Sequence, residues 1–257
     1  MAVQGPGSRF LYMGNATAGG FNISSAAEGI TEWEIPQTEH VLQETTSPFV
    51  VAPTYLPTTF RRSTDFSAKF LYGEPGVSGL TTLIESYRVP AAVMPAQIAV
   101  WGTATDVVGM PYDGASMYQA TLTPDAPKEL LTQFGVAFRC NPRAEPGHVC
   151  RALASVAIDG NTEATPVDCG VVAGSTAGLS AYLVVTAMTA ADVTVTVEES
   201  ALLVGWADTI VFTLVTAAKT YWVQRSTHAG DVLRYLACKW VYTGAAASTF
   251  FVGVNRY

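Results

Sequence analysis

Seven side chains in this sequence have the chemistry of nucleophiles or metal ligands: His40, His148 and His228, and Cys140, Cys150, Cys169 and Cys238. Their spacing assembles no site. There is no Cys-x-x-Cys pair, and no Cys/His group has zinc-ligand spacing. The histidines fall in separate regions, where a lone imidazole reads as a surface or capping group. Cys140 and Cys150 bound the stretch Arg139–Cys150 and could face each other across a hairpin, bridging if oxidised. Met1–Gly7 has no basic segment leading into an apolar one, so no secretory leader is read. Free, half-buried thiols are the expected state.

Carboxylate pairs are the other chemistry to test, because glycoside hydrolysis needs two of them across a cleft. Glu32 and Glu34 can share a strand face, and Glu198 and Glu199 end another strand. Neighbours in sequence do not flank a cleft, and both pairs read as solvated strand edges that deter stray pairing. The glycine-rich run Met13–Gly20 lacks the lysine of a phosphate cradle, and no G-x-S-x-G, H-E-x-x-H or P-loop occurs. Trp101, Trp206, Trp222 and Trp240 read as core; a sugar platform of Tyr221, Trp222 or Trp240 is the alternative. The expectation is a protein that is not an enzyme, with no catalytic residue, cofactor or metal.

Composition bounds the elements that could hold such residues. The chain has 257 residues, a formal charge of −7, 49% hydrophobic and 14% charged residues. A net acid without a Lys/Arg run does not hold duplex DNA by neutralising phosphates. The apolar content excludes disorder, and no stretch has the roughly 18–20 apolar residues of a membrane helix. So few charges imply a surface that largely faces other protein.

Strand periodicity dominates. Thr64–Tyr72 alternates, with Phe66, Ala68, Phe70 and Tyr72 on one face. Gln97–Trp101, Ser116–Thr123, Gln133–Arg139, Val193–Val197, Thr209–Val215, Thr220–Gln224, Val232–Val241 and Thr249–Val254 follow suit. One helix is predicted over Gly79–Arg88, with Leu80, Leu83, Ile84 and Tyr87 on one face, Ser78 as cap and Pro90 as stop. A further turn is predicted over Pro127–Leu131. The turn-rich stretch after Ile158 predicts a domain boundary near residue 157.

Gln43–Arg62 reads as a long loop, because Pro48, Pro53 and Pro57 break helix and central strand alike. It carries Phe49, Val50, Val51, Tyr55, Leu56 and Phe60, apolar surface that needs covering. Either it packs back on its own domain or it docks on another subunit.

In its C-terminal part the sequence resembles the major tail tube proteins of long-tailed (siphovirus-type) bacteriophages. The segments that carry the resemblance are Glu198–Ala218, Asp231–Gly244 and Thr249–Arg256, where an Arg-Tyr-Leu strand is followed by small turn residues and a Phe-Val-x-Val strand. Thr165–Gly178 is similar too. Residues before 157 agree in the order of their elements: a short β start, the loop after Glu44, the strand at Thr64 and the helix at Gly79. Cys169 and Cys238 depart from the pattern.

The resemblance implies a mainly β fold: a tail-tube-type β-sandwich or barrel with one short helix (1–157), followed by a C-terminal β-sandwich (158–257) on the tube exterior. It implies homo-hexameric rings stacked into a tube, in a virion assembled in the host cytoplasm, with DNA passing through the lumen without specific binding and no membrane partner. Other tail proteins (tape measure, terminator, distal tail) are the further partners. The arm 1–15 and the loop 43–62, with Phe49, Val50, Val51, Tyr55, Leu56 and Phe60, become inter-ring candidates. Residues 1–48 hold five acids, Glu28, Glu32, Glu34, Glu39 and Glu44, against Arg9 alone. An acidic lining would let DNA slide, so some of these five are expected at the lumen. Competing readings are a carbohydrate-binding β-sandwich module, a capsid decoration protein or tail terminator, and, least supported, a β-fold hydrolase.

Overall fold

A computed structural model describes residues 10–15, 19–22, 30–34, 38–44, 55–63, 65–71, 97–102, 107–125, 133–140, 144–170, 178–189, 192–213, 215, 222–244 and 247–257. They form strands and turns, and no helix is found among them. The first nine strands are β1 (Phe10–Asn15), β2 (Gly19–Asn22), β3 (Ile30–Glu34), β4 (Thr38–Glu44), β5 (Tyr55–Ser63), β6 (Phe66–Leu71), β7 (Gln97–Gly102), β8 (Pro111–Asp125) and β9 (Gln133–Cys140). The second nine are β10 (Glu145–Val156), β11 (Gly160–Asn161), β12 (Val167–Asp168), β13 (Leu179–Met188), β14 (Val193–Ser200), β15 (Ala207–Val211), β16 (Trp222–His228), β17 (Tyr235–Tyr242) and β18 (Ser248–Arg256). The fold is mainly β, as the periodicity predicts, and among the described residues every strand pairing is antiparallel.

The long strand β8 is the trunk of the larger, eleven-stranded sheet. Its first half hydrogen-bonds β7 on one edge and β10 on the other; its second half pairs with β9. From β9 the sheet continues to β6 and β3, from β7 to β1 and β2, and from β10 through β18 and β13 to β16. A five-stranded sheet, β11-β17-β14-β15 with β12 also on β17, covers part of one face.

β13 explains the layering. Its odd residues Leu179, Ala181, Leu183 and Val185 join Val193, Val195, Val197, Leu236 and Trp240 in the core between the two sheets. Its even residues Tyr182 and Val184 join Val100, Tyr112, Val149, Val223 and Phe251 in a second core. A strand buried on both faces reads as an unbroken apolar run. That is why Ala181–Met188 shows no alternation.

Two close approaches shape the second core. A Cβ on Gly114 would stand 2.5 Å from the Tyr182 ring, and one on Gly253 would stand 2.4 Å from the Tyr112 ring. These strand glycines therefore give the two tyrosines their seats. The rings meet edge to face at 6.0 Å.

Several expectations need relocating. The helix over 79–88 and the turn over 127–131 lie outside the described residues. Much of 43–62 is strand where a loop is expected: Gln43 and Glu44 close β4, and 55–62 belongs to β5, its antiparallel partner. Pro57 pairs with Leu42 beside the register shift between His40 and Leu42, where the ladder is interrupted. In the arm 1–15, residues 10–15 are β1, held between β2 and β7. Residue 157 does mark the exit from β10, yet strand pairing crosses it. β10 hydrogen-bonds to β18, so residues on both sides of 157 share one layer and one core.

Candidate interaction surfaces and buried polar sites

Of the expected lumen acids, Glu32 and Glu34 lie on β3, opposite Lys69 and Ser67 of β6, and Glu34 is exposed. Glu39 and Glu44 lie on β4, opposite Arg62 and Tyr55 of β5. Glu28 lies outside the described residues. Among the inter-ring candidates, Tyr55, Leu56 and Phe60 sit on β5, whereas Phe49, Val50 and Val51 lie outside the described residues. The face of β6 and β9 away from their core is mixed in charge. There Arg139 donates to Asp65 through both Nε and Nη2, each at 3.3 Å, an exposed pair.

Trp240 is no sugar platform. It is 8% exposed, meets Phe250 edge to face at 5.7 Å, and donates its indole N–H to Ile158 O at 2.9 Å. Nor are Glu198 and Glu199 solvated strand edges. Glu198 is 4% exposed, and Glu199 accepts the backbone N–H of Leu233 at 2.8 Å. All four cysteines are free. Cys150 and Cys238 lie in the inter-sheet core, and burial pushes the Cys238 thiol up to about 12, where it is inert.

Sequence spacing gave no sign of the polar site between the cores. Glu145, at the start of β10, is buried and accepts five hydrogen bonds. Arg225 of β16 donates to it through Nε at 2.9 Å and through Nη2 at 2.5 Å. Ser180 donates at 3.0 Å, and the hydroxyls of Tyr182 and Tyr257 complete the set. Burial alone would raise the Glu145 pKa; the hydrogen bonds from Arg225, Tyr182 and Tyr257 outweigh it and hold the carboxyl below its usual value. Arg225 is raised in return, first by that hydrogen bond. The partners come from β10, β13, β16 and the residue after β18, with 80 residues between Glu145 and Arg225. Only the register brings them together.

A second buried charge is held differently. Arg151, 4% exposed, stands where β10 twice breaks register with β18. Its guanidinium donates to Ala152 O at 2.8 Å, to Ala154 O at 3.3 Å, and to Phe250 O. It also lies 3.8 Å from the Phe250 ring centroid and 4.6 Å from that of Trp240. Carbonyls and π-faces thus take the place of a counter-ion. Burial pushes its pKa below the usual guanidinium value.

The third feature is the β14–β15 hairpin. Its tip exposes Leu202 (76%), Leu203 (47%) and Val204 (70%). The tip is braced: Ser200 Oγ accepts the Leu202 N–H at 3.3 Å and donates to Val204 O at 2.7 Å. Leu203 is held at φ 64°, a conformation uncommon for a side chain of its bulk. Leu202–Val204 is the run of three consecutive exposed large hydrophobics among the described residues.

No family model matches this chain, and no curated protein matches it. Among solved structures it is similar to the Dit protein of phage SPP1, described as a hub of the adsorption apparatus in phages infecting Gram-positive bacteria. That likeness has 8% identity and a TM-score of 0.34, over 96% of this chain and 99% of that one. It is also similar to a chain of the phage p2 baseplate in its activated conformation, at 9% identity and a TM-score of 0.36, over 96% and 98%. At those scores the likenesses carry no further argument.

Proposed function

We propose that this chain is a structural protein of a bacteriophage tail, and within that class a major tail tube subunit. Its copies form hexameric rings stacked around a channel for DNA. The observation that carries the reading is the β4–β5 ribbon. Among the described residues its two strands make their substantial contacts with each other, and a two-stranded ribbon by itself is marginal in water. A surface on a neighbouring subunit would hold it, with Tyr55, Leu56 and Phe60 of β5 and Phe49, Val50 and Val51 before it as the contact residues. The low charge content and the sequence resemblance support the same reading.

In this arrangement the five-stranded sheet, whose strands all follow residue 158, adds the outer layer. Some of Glu28, Glu32, Glu34, Glu39 and Glu44 face the channel and keep DNA from sticking. Tape measure, terminator and distal tail proteins are the further partners, in a virion built in the host cytoplasm. The test is negative-stain electron microscopy with light scattering at rising protein concentration. Six-fold rings or striated hollow tubes are expected. A 27.2 kDa monomer that adds to no tube, even when seeded with preformed tail, overturns the reading.

A further inference from the structure

Glu198 of β14 stands opposite Asp208 of β15 at a bulge between Val197 and Glu198. Its side chain is 5% exposed. Oε1 accepts from Lys239 Nζ of β17 at 3.0 Å, and the same ammonium reaches Asp208 Oδ1 at 3.4 Å. Oε2 is buried and has no hydrogen-bond partner. The other groups around the site are Glu163 and Asn161, whose amide donates to Glu163 Oε1 at 2.9 Å. Two carboxylates, Glu198 and Asp208, therefore share one ammonium, and Glu163 adds a further negative charge nearby. A buried carboxylate oxygen left without a donor is costly, and Lys239 reaches Glu198 through Oε1 and not through Oε2.

The cheapest donor for Oε2 is a proton of its own. Asp208 faces Glu198 across the β14–β15 pair and holds the same ammonium, so a protonated Oε2 would have an anionic acceptor beside it. We infer that Glu198 and Asp208 act as one proton-binding pair at the base of the hairpin. In mildly acidic solution Glu198 takes up a proton and donates it in an O–H···O⁻ bond to Asp208, while Lys239 stays with the Asp208 charge. The step is a protonation from solvent; no other bond is made or broken. Its consequence is local. The bond ties β14 to β15 directly below Leu202–Val204, so the apolar tip is held more firmly in acid than at neutral pH. Burial is the leading cause that raises the Glu198 carboxyl above its ordinary value, and Asp208 and Glu163 add to it against Lys239. That direction agrees with the geometry.

The test is a carboxyl-carbon NMR titration of the full chain. Wild-type Glu198 is expected to titrate above the ordinary glutamate value of about 4.3. Asp208→Asn removes the like charge and should move that midpoint down by roughly half a unit or more. Glu198→Gln, an isosteric stand-in for the protonated form, should make amide-exchange protection of 207–211, normalised for intrinsic rate, as high at neutral pH as the wild type shows in acid. A Glu198 midpoint at or below the ordinary value overturns the proposal. So does a midpoint unmoved by Asp208→Asn, or protection of 207–211 that is the same in acid and at neutral pH. None of these outcomes depends on whether the chain forms rings.

Discussion

Glu145 and Arg151 are separated by six positions on one strand, and the fold buries both, yet it compensates them by opposite means. Glu145 faces the core beneath Tyr112 and Tyr182 and meets a true counter-ion in Arg225, with three hydroxyls filling its remaining lone pairs. Arg151 faces the core between the sheets and meets only carbonyls and rings. The difference lies in what each site loses when its partner goes. A carboxylate without its guanidinium is a stranded charge; carbonyls without theirs are stranded dipoles.

Arg225→Met breaks the first arrangement and is expected to have the largest effect. It leaves Glu145 buried without a counter-ion and should cost about 3–5 kcal/mol. The measurement is urea unfolding with the slope checked against wild type, since a changed slope would mean a changed unfolded state. Coupling is the finer reading: with Glu145→Gln already in place, Arg225→Met should cost much less. Equal costs in both backgrounds would mean that Arg225 acts through packing alone.

Acid is the second way to break the same side of the comparison. The Glu145 carboxyl lies below its ordinary value when folded. Its contribution is therefore present above about pH 4.3, the unfolded value, and is lost as pH falls through the folded one. Asp113 and Glu198 are shifted upward, each first by burial, and act in the opposite sense. The test is accordingly a difference. Below about pH 4.3 wild type should lose stability faster than Glu145→Gln, while Arg151→Met should follow the wild-type slope. If Arg151→Met also flattened the acid limb, the two sites would be one network.

Arg151→Met should cost about 1–3 kcal/mol, the price of buried carbonyls left without donors, with methionine keeping contact with Phe250 and Trp240. Arg151→Lys sharpens the point. One ammonium cannot span the geometry that the guanidinium fork spans, so lysine should recover only part of the loss by the same urea measurement. Full recovery would mean that charge, and not the fork, satisfies the bulge.

Little of this contrast was legible beforehand, and the reason is physical. Strand identity is local: period-two alternation placed β6, β7, β9, β14, β17 and β18 because it needs only neighbours a few residues away. Partner identity is not local. Glu145 opens a strand after a turn-rich stretch, and nothing near it announces Arg225, Tyr182 or Tyr257. β13 hid its alternation because both faces are buried. Glu198 read as an edge carboxylate because a single strand cannot reveal the second strand on its other side. In the Gln43–Arg62 stretch the prolines signal a break, and β5 accommodates Pro57 beside a register shift in its ladder with β4. Cys140 and Cys150 were judged by sequence spacing, and the fold instead sends Cys150 to the inter-sheet core near Cys238.

The smallest expected effect separates satisfied from unsatisfied polar groups inside one core. Tyr112 and Tyr182 stand edge to face, but the Tyr182 hydroxyl donates to Glu145 while the Tyr112 hydroxyl is buried with no hydrogen-bond partner. Tyr182→Phe should therefore cost about 1.5–3 kcal/mol, the worth of a hydrogen bond to a charged group. Tyr112→Phe removes an atom whose desolvation nothing repays and keeps the ring on Gly253 and Phe251. It should leave stability unchanged or raise it by up to about 1 kcal/mol. Thermal unfolding of the two variants at neutral pH decides the matter. A Tyr112→Phe loss as large as that of Tyr182→Phe would mean that its hydroxyl has a partner in solution, and that the Glu145 network extends across both rings.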